Sequence, residues 1–114
     1  RISPVAHDVA LQAGMVISNE PGYYENNWGG IRLENLYLVK KADKLPQHPG
    51  GKGWLCFEEL TLIPFDRTLI DKNLLSAEEL KWLDEYHLQV LNEISPMLEN
   101  PEDVQWLAWA CGVA

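Results

Sequence analysis

Positive charge is scarce in this sequence: nine Lys and Arg stand against 17 Asp and Glu over 114 residues, a formal net charge of −8. Nucleic acid and anionic membrane surfaces carry the same sign, so electrostatics disfavours both as partners and favours cations. Long apolar runs are missing as well. No stretch reaches the roughly 18 residues of a membrane span, and no basic-plus-apolar leader opens the chain, so a soluble, cytoplasmic protein is expected. Cysteine is limited to Cys56 and Cys111. They lie far apart without zinc-knuckle or redox spacing, so two free thiols are expected rather than a disulfide. There is no initiator Met: the chain opens at Arg1 and runs from Ile2 to Val5 straight into a strand-like pattern, which reads as a fragment. Neither an internal repeat nor a low-complexity segment is present, and one domain with one modest core suits the length.

What is there divides into strands, then helices. Residues 14–24 (GMVISNEPGYY) and 30–39 (GIRLENLYLV) are short, apolar-rich and bounded by Gly and Pro, which favours strands. A polar loop, Glu25 to Gly29, separates them. Residues 40–53 hold two Pro, three Gly and four Lys without periodicity, as an exposed connection would. From Trp54 to Phe65 a strand pattern resumes, closed by Pro64. Ser76 with Glu79 three positions on forms a capping box, so a helix is predicted to about Ser95, where Pro96 stops it. Its apolar stripe is Leu80, Leu83, His87, Val90 and Ile94. Asn100 as cap, Pro101 in the first helical position, and Glu102 and Asp103 at the positive end of the helix dipole signal a second helix. It carries Val104, Trp106, Leu107, Trp109 and Ala110, with Trp106 and Trp109 expected at a helix interface. The order of elements indicates an α+β unit.

Glu20 and Glu34 are the candidate functional pair. If the hairpin folds about Asn27, they fall opposite one another on one face, with Ser18 facing Leu36 and Val16 facing Leu38. Carboxylates on opposed residues, with Cβ atoms roughly 5 Å apart, repel unless a proton or a cation intervenes. Their oxygens suit hard divalent ions such as Mn²⁺ or Mg²⁺, and in two-metal sites a bridging carboxylate is a natural ligand. Two plainer readings stay open: both glutamates are solvated at the edge of a hairpin, or Arg32, on the same face as Glu34, neutralises them.

The strings SNEPGYY (18–24) and GIRLEN (30–35) resemble the two C-terminal metal-ligand motifs of the Xaa-Pro aminopeptidases, members of the creatinase-like "pita-bread" metallopeptidases. The likeness continues through WLCFEELTLIPFDRTLID (54–71) and LSAEELKWLDEYH (75–87), which resemble the C-terminal extension of the longer, aminopeptidase P-type enzymes; residues 96–114 match loosely. The resemblance implies an antiparallel sheet forming part of a pita-bread fold, followed by a helical extension. Residues 1–66 would be the sheet with its metal-ligand hairpin and 67–114 the extension. It also implies two divalent ions, commonly manganese, held by two aspartates and a histidine from upstream and by the residues matched here by Glu20 and Glu34. In that family the reaction is hydrolysis of the bond before a penultimate proline. The match of Glu20 would bind metal and assist proton transfer, that of Glu34 would bridge the ions, and Arg32 would orient the carboxylates. A homodimer through Leu60 to Trp109 is implied in the same way.

The family's upstream ligands have no counterpart here. Asp8, Asp43, Asp66 and Asp71 lie in other contexts. His7 falls in a variable stretch just after the place where family histidines occur. His48 sits in the Pro-Gly loop and reads as solvated, and His87, on the helix stripe, reads as packed or capped. The chain alone is therefore expected to bind a cation weakly and to turn nothing over. Tyr23, Tyr24 and Trp28 flank the hairpin and either line a pocket or pack the loop. The rival readings are a non-catalytic binding or dimerisation module that kept the fold, and a prolidase-like dipeptidase.

Overall fold

The computed structural model describes residues 9–46, 48–51 and 53–113. His7 and Asp8 therefore lie outside the described residues. The chain divides into two compact units, residues 1–61 and 62–114.

In the first unit, five short strands among the described residues form two antiparallel sheets. Strands β1 (Val16–Asn19), β4 (Asn35–Lys41) and β5 (Leu55–Glu59) make a three-stranded sheet in the order β1-β4-β5, and β2 (Gly22–Glu25) pairs with β3 (Gly29–Arg32). Val16 pairs with Leu38 and Ser18 with Leu36, as the spacing predicts, and the same register continues through Gly22 opposite Arg32 to Glu25 opposite Gly29. The two predicted strands are thus each split in two. The cause is Pro21: the Leu33 N–H donates to the Pro21 carbonyl at 3.0 Å, but proline has no N–H to return the bond, and the ladder breaks there. Asn27 turns the hairpin at φ 63°, a left-handed conformation that asparagine tolerates better than other non-glycine residues.

Strand β4 is the spine of the larger sheet, and Val39 within it is fully buried. Residues 14 and 15 close over it through Gly14 N–H to Val39 O and Val39 N–H to Met15 O, both 2.8 Å. Cys56 on β5 is exposed and Cys111 is buried, and both are free thiols. In the connection that follows β4, the Trp54 Nε1–H donates to the Pro46 carbonyl at 2.8 Å, and His48 is exposed with Nδ1 accepting the Gly50 N–H.

The pattern expected to run as a strand to Phe65 pairs only to Glu59, with further bonds from Leu60 N–H to Leu36 O and from Leu36 N–H to Thr61 Oγ1. Strand β4 begins at Asn35, so residues 62–65 have no strand to pair with among the described residues. Two of their backbone groups find partners within the second unit instead. The Tyr86 hydroxyl donates to the Ile63 carbonyl at 2.9 Å, and the Phe65 N–H donates to His87 Nε2 at 3.1 Å. Both acceptor and donor come from α1 (Ala77–Ile94), whose capping box is formed by Ser76 and Glu79 as expected.

A 3-10 turn at Ser95–Met97 follows, and α2 (Pro101–Cys111) starts on the Asn100 cap with Pro101 first. The buried cluster is Tyr86, Val90, Leu107 and Cys111, with Leu62, Phe65, Leu91, Ile94 and Leu98 packed against it. Full burial of such a side chain is worth on the order of 2 kcal/mol. Tyr86 is the core residue that the helix stripe did not include. Trp106 and Trp109 remain 58% and 57% exposed, so the interface expected for them is not made among the described residues.

Candidate metal-binding hairpin

Glu20 and Glu34 occupy the break between the two ladders. Each is flanked by paired residues, Asn19 and Asn35 on one side, Gly22 and Arg32 on the other. The register therefore sets them across from one another although neither belongs to a strand. Alternation along the ladder puts Glu20, Gly22, Tyr24, Gly30, Arg32 and Glu34 on one face.

The carboxylates converge on the guanidinium of Arg32. Its Nε lies 3.3 Å from Glu34 Oε2 and 4.0 Å from Glu20 Oε2. The Ser18 hydroxyl donates to Glu20 Oε1 at 2.7 Å and fixes the other side of that carboxylate. The Tyr24 hydroxyl lies beside Arg32, and this contact, with the charges of Glu34 and Glu20, holds the guanidinium pKa above its ordinary value. All three charged side chains are about half exposed, so water screens them and the ion pairs are weak enough to exchange for another cation.

Tyr24 is the residue whose place the sequence left open between pocket and packing. Its ring lies along the ladder over Gly22 and Gly30, where any Cβ would collide with it, and its hydroxyl reaches Arg32. The signal available in the sequence was the alternation itself, with glycines at 22 and 30 on the face that carries Tyr24 and Arg32. Tyr23 points to the other face and meets Trp28 edge-on at 6.4 Å. The depression beside Glu20 is lined instead by Ile17, Asn19, Pro21, Tyr37 and Phe57, with the Tyr37 and Phe57 rings packed edge to face.

The donor set fits part of a hard-cation site. Two convergent carboxylates offer oxygen ligands of the right kind, and they already gather around one positive group. No cluster of three or more His, Cys, Asp or Glu able to hold an ion occurs among the described residues. His48 and His87 are engaged elsewhere, with Gly50 and Phe65. A complete dinuclear centre would need further ligands besides these two.

Comparison with known proteins bears on both units. Residues 53–113, just over half of the chain, match the family described as the C-terminal region of peptidase M24, and residues 1–41 match metallopeptidase family M24. A probable Xaa-Pro aminopeptidase P of Coprinopsis cinerea is 47% identical over 102 residues, which cover 89% of this chain and 16% of that protein. Aminopeptidase P2 of Arabidopsis thaliana is 47% identical over 97 residues, 85% of this chain and 14% of that one. Among solved structures, the X-prolyl aminopeptidase of Caenorhabditis elegans, described as a cytosolic enzyme with a di-nuclear active site, superposes with a TM-score of 0.74 at 37% identity. That match covers 89% of this chain and 16% of the worm enzyme. The chain thus spans about one sixth of the length of the relatives it matches, and its antiparallel sheet and helices have the fold of the corresponding part of an X-prolyl aminopeptidase. With both of its units matched and its hairpin motifs in place, this chain belongs to metallopeptidase family M24.

Proposed function

We propose that this chain supplies Glu20 and Glu34 as two ligands of a dinuclear metal centre in an Xaa-Pro aminopeptidase, which releases the N-terminal residue of peptides with proline second. The observation that carries the reading is the convergence of the two carboxylates on one point, Arg32, from opposite sides of a ladder break. The similarity to Xaa-Pro aminopeptidases supports the substrate class.

Two divalent ions, expected to be Mn²⁺, would lower the pKa of bound water and stabilise negative charge developing on the scissile carbonyl oxygen. The remaining roles belong to side chains. Glu34, whose Oε2 lies 3.3 Å from Arg32 Nε, would be the second ligand, shared by the ions. Glu20 would bind metal and would accept and return a proton, its carboxylate oriented by the Ser18 hydroxyl on Oε1. Arg32 keeps both carboxylates aligned, and loss of such an orienting group typically lowers metal affinity or activity about 10–100-fold.

Residues 60–109 are assigned to a homodimer interface, supported by the exposed Trp82, Trp106 and Trp109. A cytoplasmic location is supported by the description of the worm enzyme and agrees with there being no helix, among the described residues, long and apolar enough to cross a membrane.

The test uses the longer polypeptide that contains this chain. Metal content by elemental analysis and release of the first residue from an Xaa-Pro peptide are measured for the wild type and for Glu20→Ala and Glu34→Ala. Loss of bound metal together with turnover is expected. A wild type with a full metal complement that both substitutions leave intact would refute the ligand assignment, and a metal-free, inactive wild type would point to the non-catalytic module.

A further inference from the structure

Gly22 and Gly30 have no conformational reason to be glycine, since neither adopts positive φ. What each meets is the ring of Tyr24. A Cβ on Gly30 would collide with Cδ1, lie 2.9 Å from Cε1 and stand 3.1 Å from the Tyr23 carbonyl oxygen, and one on Gly22 would lie 2.6 Å from the hydroxyl and 2.8 Å from Cζ and Cε2. Real Cβ atoms do not approach a ring so closely. Tyr24 pairs across the ladder with Gly30, and Gly22 pairs with Arg32, so the ring runs from one glycine to the other and ends beside the guanidinium.

We propose that Gly22 and Gly30 are positioning residues. They form a seat without Cβ atoms on which Tyr24 lies flat, its hydroxyl against Arg32, so that Arg32 is held between Glu20 and Glu34. The functional consequence rests on the reading of that pair as metal ligands. The two glycines are not equivalent. Gly30 meets the base of the ring, which can clear a methyl only by turning the whole side chain about χ1 and so leaving its rotamer. Gly22 meets the hydroxyl end, which a smaller tilt can relieve. Gly53, with ordinary φ and open space around its Cα, is the control.

The test is NMR on the 114-residue chain, with Mn²⁺ alone as a paramagnetic probe. In the wild type, the Gly22 and Gly30 Hα signals should carry upfield ring-current shifts from Tyr24, the Arg32 Nε–H should exchange slowly, and Mn²⁺ should broaden Glu20 and Glu34 first. Gly30→Ala should abolish the shift at Gly22, speed exchange at Arg32 and weaken the Mn²⁺ broadening, with the β4, β5 and helix amides unmoved. Gly22→Ala should do the same to a smaller extent, and it keeps the test decisive should Gly30→Ala not fold. Gly53→Ala should change nothing. Adding Gly22→Ala to Tyr24→Ala should have no further effect, because the three nearest atoms there all belong to the ring and its hydroxyl; additive losses would mean that glycine serves the backbone and would overturn the seat. Gly30→Ala with Arg32 exchange unchanged would overturn it as well. If Mn²⁺ fails to broaden Glu20 and Glu34 in the wild type, the pair does not bind a cation without further ligands, and the Arg32 signal still decides whether the seat exists.

Discussion

His87 is 1% exposed, and its Nε2 accepts the Phe65 N–H. A ring nitrogen accepts only when unprotonated, so the folded chain holds a neutral imidazole with its proton on Nδ1. Burial pushes its pKa below the ordinary value of 6.5, and the charge of Arg67 adds to this, against an opposing pull from Asp84. The sign follows from proton counting. Below about pH 6.5 the unfolded chain takes up a proton at this histidine that the folded chain resists, so folding stability falls as pH falls through the window beneath 6.5. Urea unfolding at about pH 7.5 and pH 5.5 should therefore show a lower midpoint in acid. His87→Gln, which preserves an acceptor for Phe65, should show a smaller drop, and equal drops in both proteins would place the pH response on other groups. Arg32 illustrates the opposite regime: exposed and flanked by acids, it has a guanidinium pKa held above the ordinary value.

Single elements here depend on how their ends are satisfied. At the start of α1, Ser76 Oγ accepts the Glu79 N–H at 3.2 Å, and the Ser76 N–H donates to Glu79 Oε2 at 2.8 Å. These bonds hold the Glu79 carboxyl below its ordinary pKa. Ser76→Ala should cost about 1 kcal/mol of unfolding free energy, read from denaturant curves, and a change within error would show that the box is dispensable once α1 is packed. At the end of α2, Gly112 turns the chain at φ 80°, and its open Cα lies against the Arg67 guanidinium, a cation at the negative end of a helix dipole. In the hairpin the decisive end is Pro21. By ending one ladder before the next begins, it leaves Glu20 and Glu34 in a gap where their carboxylates lean toward Arg32 rather than standing in a regular row.

For the molecule as a whole, the ligand count sets the expected behaviour. A hard cation takes roughly six ligands, and the described residues offer two convergent carboxylates. Calorimetry with Mn²⁺ should give a Kd of about 0.1 mM or weaker, the range of ligand-poor carboxylate sites. The Glu20→Ala, Glu34→Ala double variant should lose even that, and no Xaa-Pro peptide should be cleaved by the chain alone. Tight binding with turnover would mean that a residue such as His7 or Asp8 completes the site. The helix caps at Ser76 and Asn100, the register that opposes Glu20 to Glu34 and the two free thiols were all readable in the sequence, because each depends on neighbours a few residues away or on strict two-residue alternation. The motifs SNEPGYY and GIRLEN likewise carried the family. The split of each long strand at Pro21, the loss of pairing after Glu59, the burial of Tyr86 and the exposure of Trp106 and Trp109 were not readable in this way. Each turns on which distant surface is present to accept a hydrogen bond or cover a ring, and only the folded chain brings those surfaces together. The seat of Tyr24 on Gly22 and Gly30 lies between the two cases: alternation placed all three on one face, and tertiary structure decided that the ring would lie down on the glycines and reach Arg32.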